Sequence, residues 1–286
     1  MDSFELRLGR HTLYLSKRTH IMGILNLSPD SFYDGGRWTD VEEAVHHAKE
    51  MVRWGADIID VGGESTRPGS QSISVDVEKK RVLPVIERLI QEVDIPISID
   101  TYKADVAEAC LQLGVHMVND ISGLRFDPRM VEVVARYDSA LIIMHIKGRP
   151  KDMQNDPQYH DLIGEIIEYL REGIELATSQ GVPKQKIIVD PGIGFGKTVS
   201  HNLEIIKRLS RFRVLESPLL IGPSRKSVIG KVLNLDVDER LHGTSALVAL
   251  SIMNGANMVR VHDVREMVEV ARMVDAVKMG LEYECD

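Results

Sequence analysis

Ile21-Met22-Gly23-Ile24-Leu25 is an apolar run that stops at Asn26, and seven later runs end the same way. Ile58-Ile59-Asp60-Val61 stops before Gly62-Gly63-Glu64, Ile97-Ser98-Ile99 at Asp100, and His116-Met117-Val118 at Asn119-Asp120. Leu141-Ile142-Ile143-Met144 stops at His145 and Ile187-Ile188-Val189 at Asp190. Leu219-Leu220-Ile221-Gly222 runs into Ser224-Arg225-Lys226, and Met258-Val259-Arg260-Val261 ends at His262. Strands covered on both faces read as nearly continuous hydrophobic runs, as in parallel sheets. In a (β/α)8 barrel the working residues sit where such strands end. One pattern thus predicts an α/β fold, a (β/α)8 barrel, and a set of candidate site residues.

Amphipathic helical stretches fill the intervals. The clearest are 41–54, 75–92, 103–113, 128–137, 162–180, 201–209, 241–254 and 264–279, with Asp40, Asp127 and Asp263 as expected caps. Strand ends recur roughly every 34 residues, enough for one helix per crossover. Eight alternations favour a closed barrel over an open doubly wound sheet, which more often has about six strands. Before the first buried run, Phe4 to Leu8 alternates, Gly9-Arg10 turns, and Thr12 to Leu15 alternates weakly. That is a hairpin, expected as a plug under the barrel floor. No Pro/Gly/Ser-rich linker splits the chain, so residues 1–286 are expected to form a single domain.

The 286 residues are 43% hydrophobic and 27% charged, with net charge −8. An acidic chain lacks the basic footprint of a nucleic-acid binder, although a local basic pocket stays compatible with it. Cys110 and Cys285 are far apart and have no metal-type spacing, which suits two free thiols in a reducing cytoplasm. Met1 to Arg10 has no basic region followed by an apolar stretch, and no apolar run approaches the length of a membrane span. A cytoplasmic protein with no membrane partner is expected.

Asp100, Asn119 and Asp190 end three different strands. Two carboxylates and a carboxamide facing one cavity suit a flat heterocycle with an amidine-like edge. Asp190-Pro191-Gly192-Ile193-Gly194-Phe195-Gly196-Lys197 fits neither nucleotide motif. A P-loop needs glycine where Pro191 stands, and the dinucleotide glycine spacing is wrong. Such a loop lets the backbone turn tightly beside a ligand, with Phe195 as a ring wall. Ser224-Arg225-Lys226-Ser227 and Arg260-Val261-His262 follow strands seven and eight, the usual phosphate region of this fold. Asn26 becomes a metal ligand if substrate phosphates supply the other oxygens to Mg²⁺. Ser65-Thr66-Arg67-Pro68-Gly69 is a polar turn able to close over an anion. His46-His47 falls on a helix surface, and His145 has no defined role.

Seven ordered motifs complete the pattern: N-L-S-P-D-S-F-Y-D-G-G, G-G-E-S-T-R-P-G, I-S-I-D-T-Y-K, N-D-I-S-G, D-P-G-I-G-F-G-K, S-R-K-S-V-I-G and V-R-V-H-D-V. From about Ile21 to the end of strand eight the chain resembles the dihydropteroate synthase family. Leu27-Ser28 stands where that family often has Val-Thr, and the loop after strand five also departs from its usual form. The resemblance implies condensation of 6-hydroxymethyl-7,8-dihydropterin diphosphate with 4-aminobenzoate. It assigns Asp100, Asn119, Asp190 and Lys226 to the pterin, with Arg260 across its face. Thr66, Arg260 and His262 would contact the diphosphate, and Asn26 its Mg²⁺. Phe32, Pro68, Phe195, Lys226 and Ser227 would surround the aminobenzoate, with Asp34 and Arg67 helping to close the site. A homodimer is implied as well. A pterin-dependent methyltransferase and a non-catalytic pterin-binding barrel are the alternatives. The first has no need of a diphosphate site, and the intact loops after strands one and two speak against the second.

Overall fold

The structure is a computed structural model that describes residues 4–27 and 37–280. Strands β1 (Glu5–Leu8) and β2 (His11–Tyr14) pair as an antiparallel hairpin, turning at Gly9 with φ +59°. The parallel strands are β3 (His20–Asn26), β4 (Ile58–Gly62), β5 (Ile97–Asp100), β6 (Met117–Asp120), β7 (Ala140–Met144), β8 (Ile187–Asp190), β9 (Leu220–Ile221) and β10 (Met258–Val261). From β3 to β8 each strand pairs with the next, β10 lies between β3 and β9, and β9 faces β8. A bridge between Val189 and Leu219 closes that last seam, with the Val189 N–H 2.9 Å from the Pro218 carbonyl. The expected (β/α)8 barrel is what forms.

Side-chain parity along the strands decides what faces where, because successive residues point to opposite sides. Met22, Ile58, Met117, Ile142, Ile188, Leu220 and Met258 form one inner cluster, which also holds Leu6, Leu8 and Leu15 of the hairpin segment. The hairpin therefore seals the floor, as its position in the sequence suggested. The opposite parity, including Ile21, Leu25, Ile59, Val61, Ile99, Val118, Ile143, Val189 and Val261, packs outward against the helices. Above the inner cluster the same inward parity brings Asp60, Asp100, Asn119, Asp190 and Arg260 to the mouth.

The helices are α1 (Arg37–Trp54), α2 (Val75–Glu92), α3 (Ala104–Gln112), α4 (Met130–Arg136), α5 (Leu162–Ser179), α6 (Val199–Lys207), α7 (Ser227–Leu233), α8 (Leu241–Met253) and α9 (Val264–Met279). Helix α7 is outside the sequence expectation. It is one short element starting within the Ser-Arg-Lys-Ser segment, too brief to show a period. The expected caps also differ. Asp40 lies inside α1, and Asp263 makes no capping bond because Arg225 occupies its carboxylate. The Asp127 carboxylate accepts the Ala104 N–H at the start of α3 (3.0 Å) as well as the Arg129 N–H, tying two crossovers together. Ser74, Asp161 and Thr198 are the side chains that cap α2, α5 and α6. Among the described residues no helix is long and apolar enough to cross a membrane.

Candidate active site

Strand register sets the first row of the site. Asn26 is opposite Gly62, Gly62 opposite Asp100, and Asp100 opposite Asn119. From β10 across the mouth, Arg260 Nε lies 2.6 Å from Asp60 Oδ2, and an Nη lies 2.7 Å from Asp100 Oδ2. Asn119 Nδ2 donates to the same Asp60 oxygen at 3.0 Å. A guanidinium largely withdrawn from water needs paired counter-charges, and here two strands supply them. The second oxygens of Asp60 and Asp100 are buried and lack a partner among the described residues. Buried acceptors without a partner call for an explanation, and a ligand bearing N–H donors is one.

Burial pushes the Asp100 carboxyl up to about 7, against the pull of Arg260. Burial also raises Asp190 to about 6, although the Gly192 N–H donates to it at 2.7 Å. The Lys226 amine is brought down to about 8 by burial and then by Arg260, with Asp190 and Asp100 opposing. These groups therefore sense one another across one small volume. Asn119 alone of its Asn-Asp pair faces inward. Asp120 points outward and accepts from Ser122 N, Ser122 Oγ and Leu124 N at 2.7–2.8 Å, which shapes the loop after β6.

The Ser-Arg-Lys-Ser segment divides by direction. Arg225, with φ +54°, turns outward onto Asp263 and Asp238. It is an anchor between crossovers and drops out of the expected phosphate cluster. Lys226 turns inward and sets its Nζ 4.1 Å from the centre of the Phe195 ring, a cation–π contact. Ser227 is exposed. Ser224 Oγ sits 3.0 Å from His262 Nδ1, and burial followed by Arg260 holds that imidazole down to about 3. His262 thus meets the mouth as a neutral ring.

Asn26 and Asp100 flank an open notch. A Cβ added at Gly62 would lie 3.5 Å from Asn26 Oδ1 and 3.7 Å from Asp100 Oδ2. Loop two, after β4, is pinned at both ends by Glu64. This carboxylate accepts the Tyr102 hydroxyl at 2.6 Å and the Ile73 N–H at 3.0 Å, and it pairs with Lys103. Between those pins Thr66 is half-buried, Arg67 and Pro68 are exposed, and the Gly69 N–H reaches the Pro150 carbonyl of loop five at 2.9 Å. Phe32 and Asp34 lie outside the described residues.

Two functional side chains escape a reading of the sequence. Asp60 reads as part of an apolar run, yet it shares inward parity with Gly62. A carboxylate inside such a run is itself a signal of a paired cation. Glu64 reads as loop polarity, and only the fold brings it to Tyr102 and Lys103.

Residues 22–262 match the family model described as "Pterin binding enzyme". A dihydropteroate synthase from Synechocystis is 48% identical over 95% of this chain and 94% of its own length. The crystal structure of a dihydropteroate synthase from Clostridium difficile, obtained in the presence of pteroic acid, is 52% identical. It superposes with a TM-score of 0.87, covering 91% of this chain and 97% of that one. A Xanthomonas albilineans dihydropteroate synthase with 4-aminobenzoic acid is 39% identical with a TM-score of 0.91, covering 96% and 98%.

The raised carboxyls have a pH consequence. Both prefer the neutral form when folded, whereas in an unfolded chain they ionise near about 3.9. Their contribution to stability is full below that pH and is lost as pH rises through about 6 to 7. Without ligand, the melting temperature of the native chain is expected to fall relative to an Asp100→Asn/Asp190→Asn variant between about pH 4.5 and 7.5. Calorimetry across that range checks it, and a pH-independent difference would contradict it.

Proposed function

The chain belongs to the pterin binding enzyme family, with dihydropteroate synthases as its relatives, and on that premise we propose how its barrel mouth works. It is a transferase that condenses (7,8-dihydropterin-6-yl)methyl diphosphate with 4-aminobenzoate, giving 7,8-dihydropteroate and diphosphate. The observation that carries the assignment of residues is the single charged layer of Asp100, Asn119, Asp190, Lys226 and Arg260 at the barrel mouth, in which Asp100, Arg260 and Asn119 are linked by hydrogen bonds through Asp60 and Arg260, and Asp190 and Lys226 by charge.

Asp100 and Asp190 accept the N–H groups of the pterin edge, and Asn119 supplies a donor and an acceptor beside them. Arg260 directs two of its five N–H donors to Asp60 and Asp100. Its plane lies against the pterin and its remaining donors turn to the diphosphate, with Thr66 and His262. The Asn26 carboxamide oxygen and the open notch above Gly62 suit a hard cation that takes most of its ligands from oxygen. Among the described residues no cluster of three or more acidic, His or Cys side chains could hold a metal alone. A cation here, Mg²⁺ in this proposal, would therefore be shared between Asn26 and the diphosphate, where it supplies charge neutralisation.

In the reaction the bond from the pterin methylene carbon to the diphosphate oxygen breaks, and a bond to the arylamine nitrogen forms. The nitrogen loses a proton, and no side chain becomes covalently attached. Arg260, Thr66 and neutral His262 hold the leaving group. Lys226 stands between the two substrates, with Phe195 beneath its amine, and Asp100 and Asp190 tolerate charge developing on the pterin. Phe195, Pro68 and Ser227 line the arylamine slot, and Arg67 closes over it; the family resemblance adds Phe32 to that slot.

The same proposal includes a single domain over residues 1–286, a cytoplasmic setting and a homodimer. The dimer is supported by Leu250 and Met253 on α8 and Met273 and Val277 on α9, all at least half exposed. Exposed apolar area marks an association surface where it is contiguous. Sedimentation at micromolar concentration is expected to give the dimer mass, and a single 32.1 kDa species would refute it.

Diphosphate release should require both substrates, tested by omitting each in turn. Lys226→Ala is expected to cut kcat/KM by about a hundredfold or more without lowering the melting temperature. Release without 4-aminobenzoate would count against the proposed condensation, and full activity in Lys226→Ala would remove that residue from the site.

A further inference from the structure

Lys197 is only 3% exposed, and no step of the condensation uses it. Its amine reaches the Phe195 carbonyl at 2.9 Å and His145 Nδ1 at 2.8 Å, with the His145 carbonyl farther off at 3.5 Å. Burial holds this amine well below the usual lysine range, although Asp190 pulls it back up. Burying a lysine costs stability unless its donors find partners, and Met would fill the same slot without that cost. The position therefore asks for what the donors do.

They hold one peptide of a loop whose neighbouring peptides are also held. The Gly194 N–H donates to Asn202 Oδ1 at 2.7 Å, and its carbonyl accepts from Gln154 Nε2 at 2.5 Å. The Gly196 carbonyl accepts the Tyr159 hydroxyl at 2.8 Å. Gly192 and Gly196 press against the backbone of the β7 end, where a Cβ would lie 2.0 Å from the His145 oxygen or 2.3 Å from the Lys147 oxygen. Between them Phe195, 8% exposed, carries the Lys226 amine over its ring. His145 is in turn oriented by the Tyr169 ring, edge-on at 4.6 Å. A continuous set of contacts runs from the end of β7 through Lys197 to Phe195.

We infer that Lys197, with His145 as its acceptor, is a positioning residue that fixes the Phe195 wall of the arylamine slot. This rests on the reading of that wall given under the proposed function. The end of β7 thereby acquires a role, setting the place of a side chain on the next loop rather than meeting substrate itself.

The test is steady-state kinetics of the full chain, with each substrate varied separately. Lys197→Met keeps the length and apolar volume of the side chain and removes its donors. The KM for 4-aminobenzoate is expected to rise about tenfold, with the KM for the pterin diphosphate within about twofold and kcat within about threefold. The melting temperature should not fall, because a buried amine has been replaced by an apolar group. His145→Phe keeps a ring against Tyr169 and removes the acceptor, so it should give the same split in smaller measure even if Lys197→Met fails to fold. Folded variants with both KM values unmoved, or moved in equal proportion, would overturn the inference. A native chain that releases no diphosphate on adding 4-aminobenzoate would overturn the reading of the slot itself, and the inference with it.

Discussion

The charged residues at the mouth of this barrel are arranged around one guanidinium that is largely, not fully, withdrawn from water. Arg260 projects inward from β10 and is held by Asp60 on β4 and Asp100 on β5, with Asn119 on β6 sharing the Asp60 oxygen. A charge in such a place is stable only when paired, and removing one partner from a buried pair costs about 3–5 kcal/mol. The barrel makes the pairing possible, because β10 pairs directly with β3 and closure between β8 and β9 turns the inward faces of β4, β5, β6 and β10 to one mouth. The hairpin under the floor fills the space that would otherwise let water in from below.

That pairing is incomplete by one oxygen on each carboxylate. Asp100 and Asp190 sit close to neutral pH because burial outweighs the cations nearby, and Lys226 is lowered for the same reason. A ligand with an N–H edge and an anionic tail offers each group what it lacks, donors for the carboxylates and negative charge for Arg260 and Lys226. The cost of keeping these groups dry in the free protein is thus offset on binding. The apolar wall formed by Ile121, Met144, Ile146, Met153 and Phe195 keeps the layer away from water on its other side.

Much of this is legible in the chain because buried parallel strands leave continuous apolar runs and their ends stand out. Asp100, Asn119, Asp190 and His262 are visible as stops, and Lys226 as a charge in the short segment after a strand. Asp60 is not, because it sits two residues before its strand ends, where only side-chain parity marks it as inward. The roles of Arg225 and Lys226 cannot be separated from sequence, since the left-handed backbone at Arg225 sends them to opposite sides. Helix α7 is too short to show a period, and Asp127 bonds the start of the neighbouring crossover as well as its own, a second contact fixed only by the fold. Phe32 and Asp34 fall outside the described residues, so their places in the arylamine slot and its closure rest on the family resemblance.

If Arg260 is organised chiefly by Asp60, weakening that contact must weaken the grip on the pterin diphosphate although Asp60 belongs to no recognised motif position. The direct measurement is calorimetric titration of the pterin diphosphate, without 4-aminobenzoate, into the native chain and into Asp60→Asn. The variant is expected to bind at least about tenfold more weakly, a loss of about 1.4 kcal/mol, with its fold retained by circular dichroism. Equal affinity in the two proteins would contradict the claim that this buried pair holds the site together.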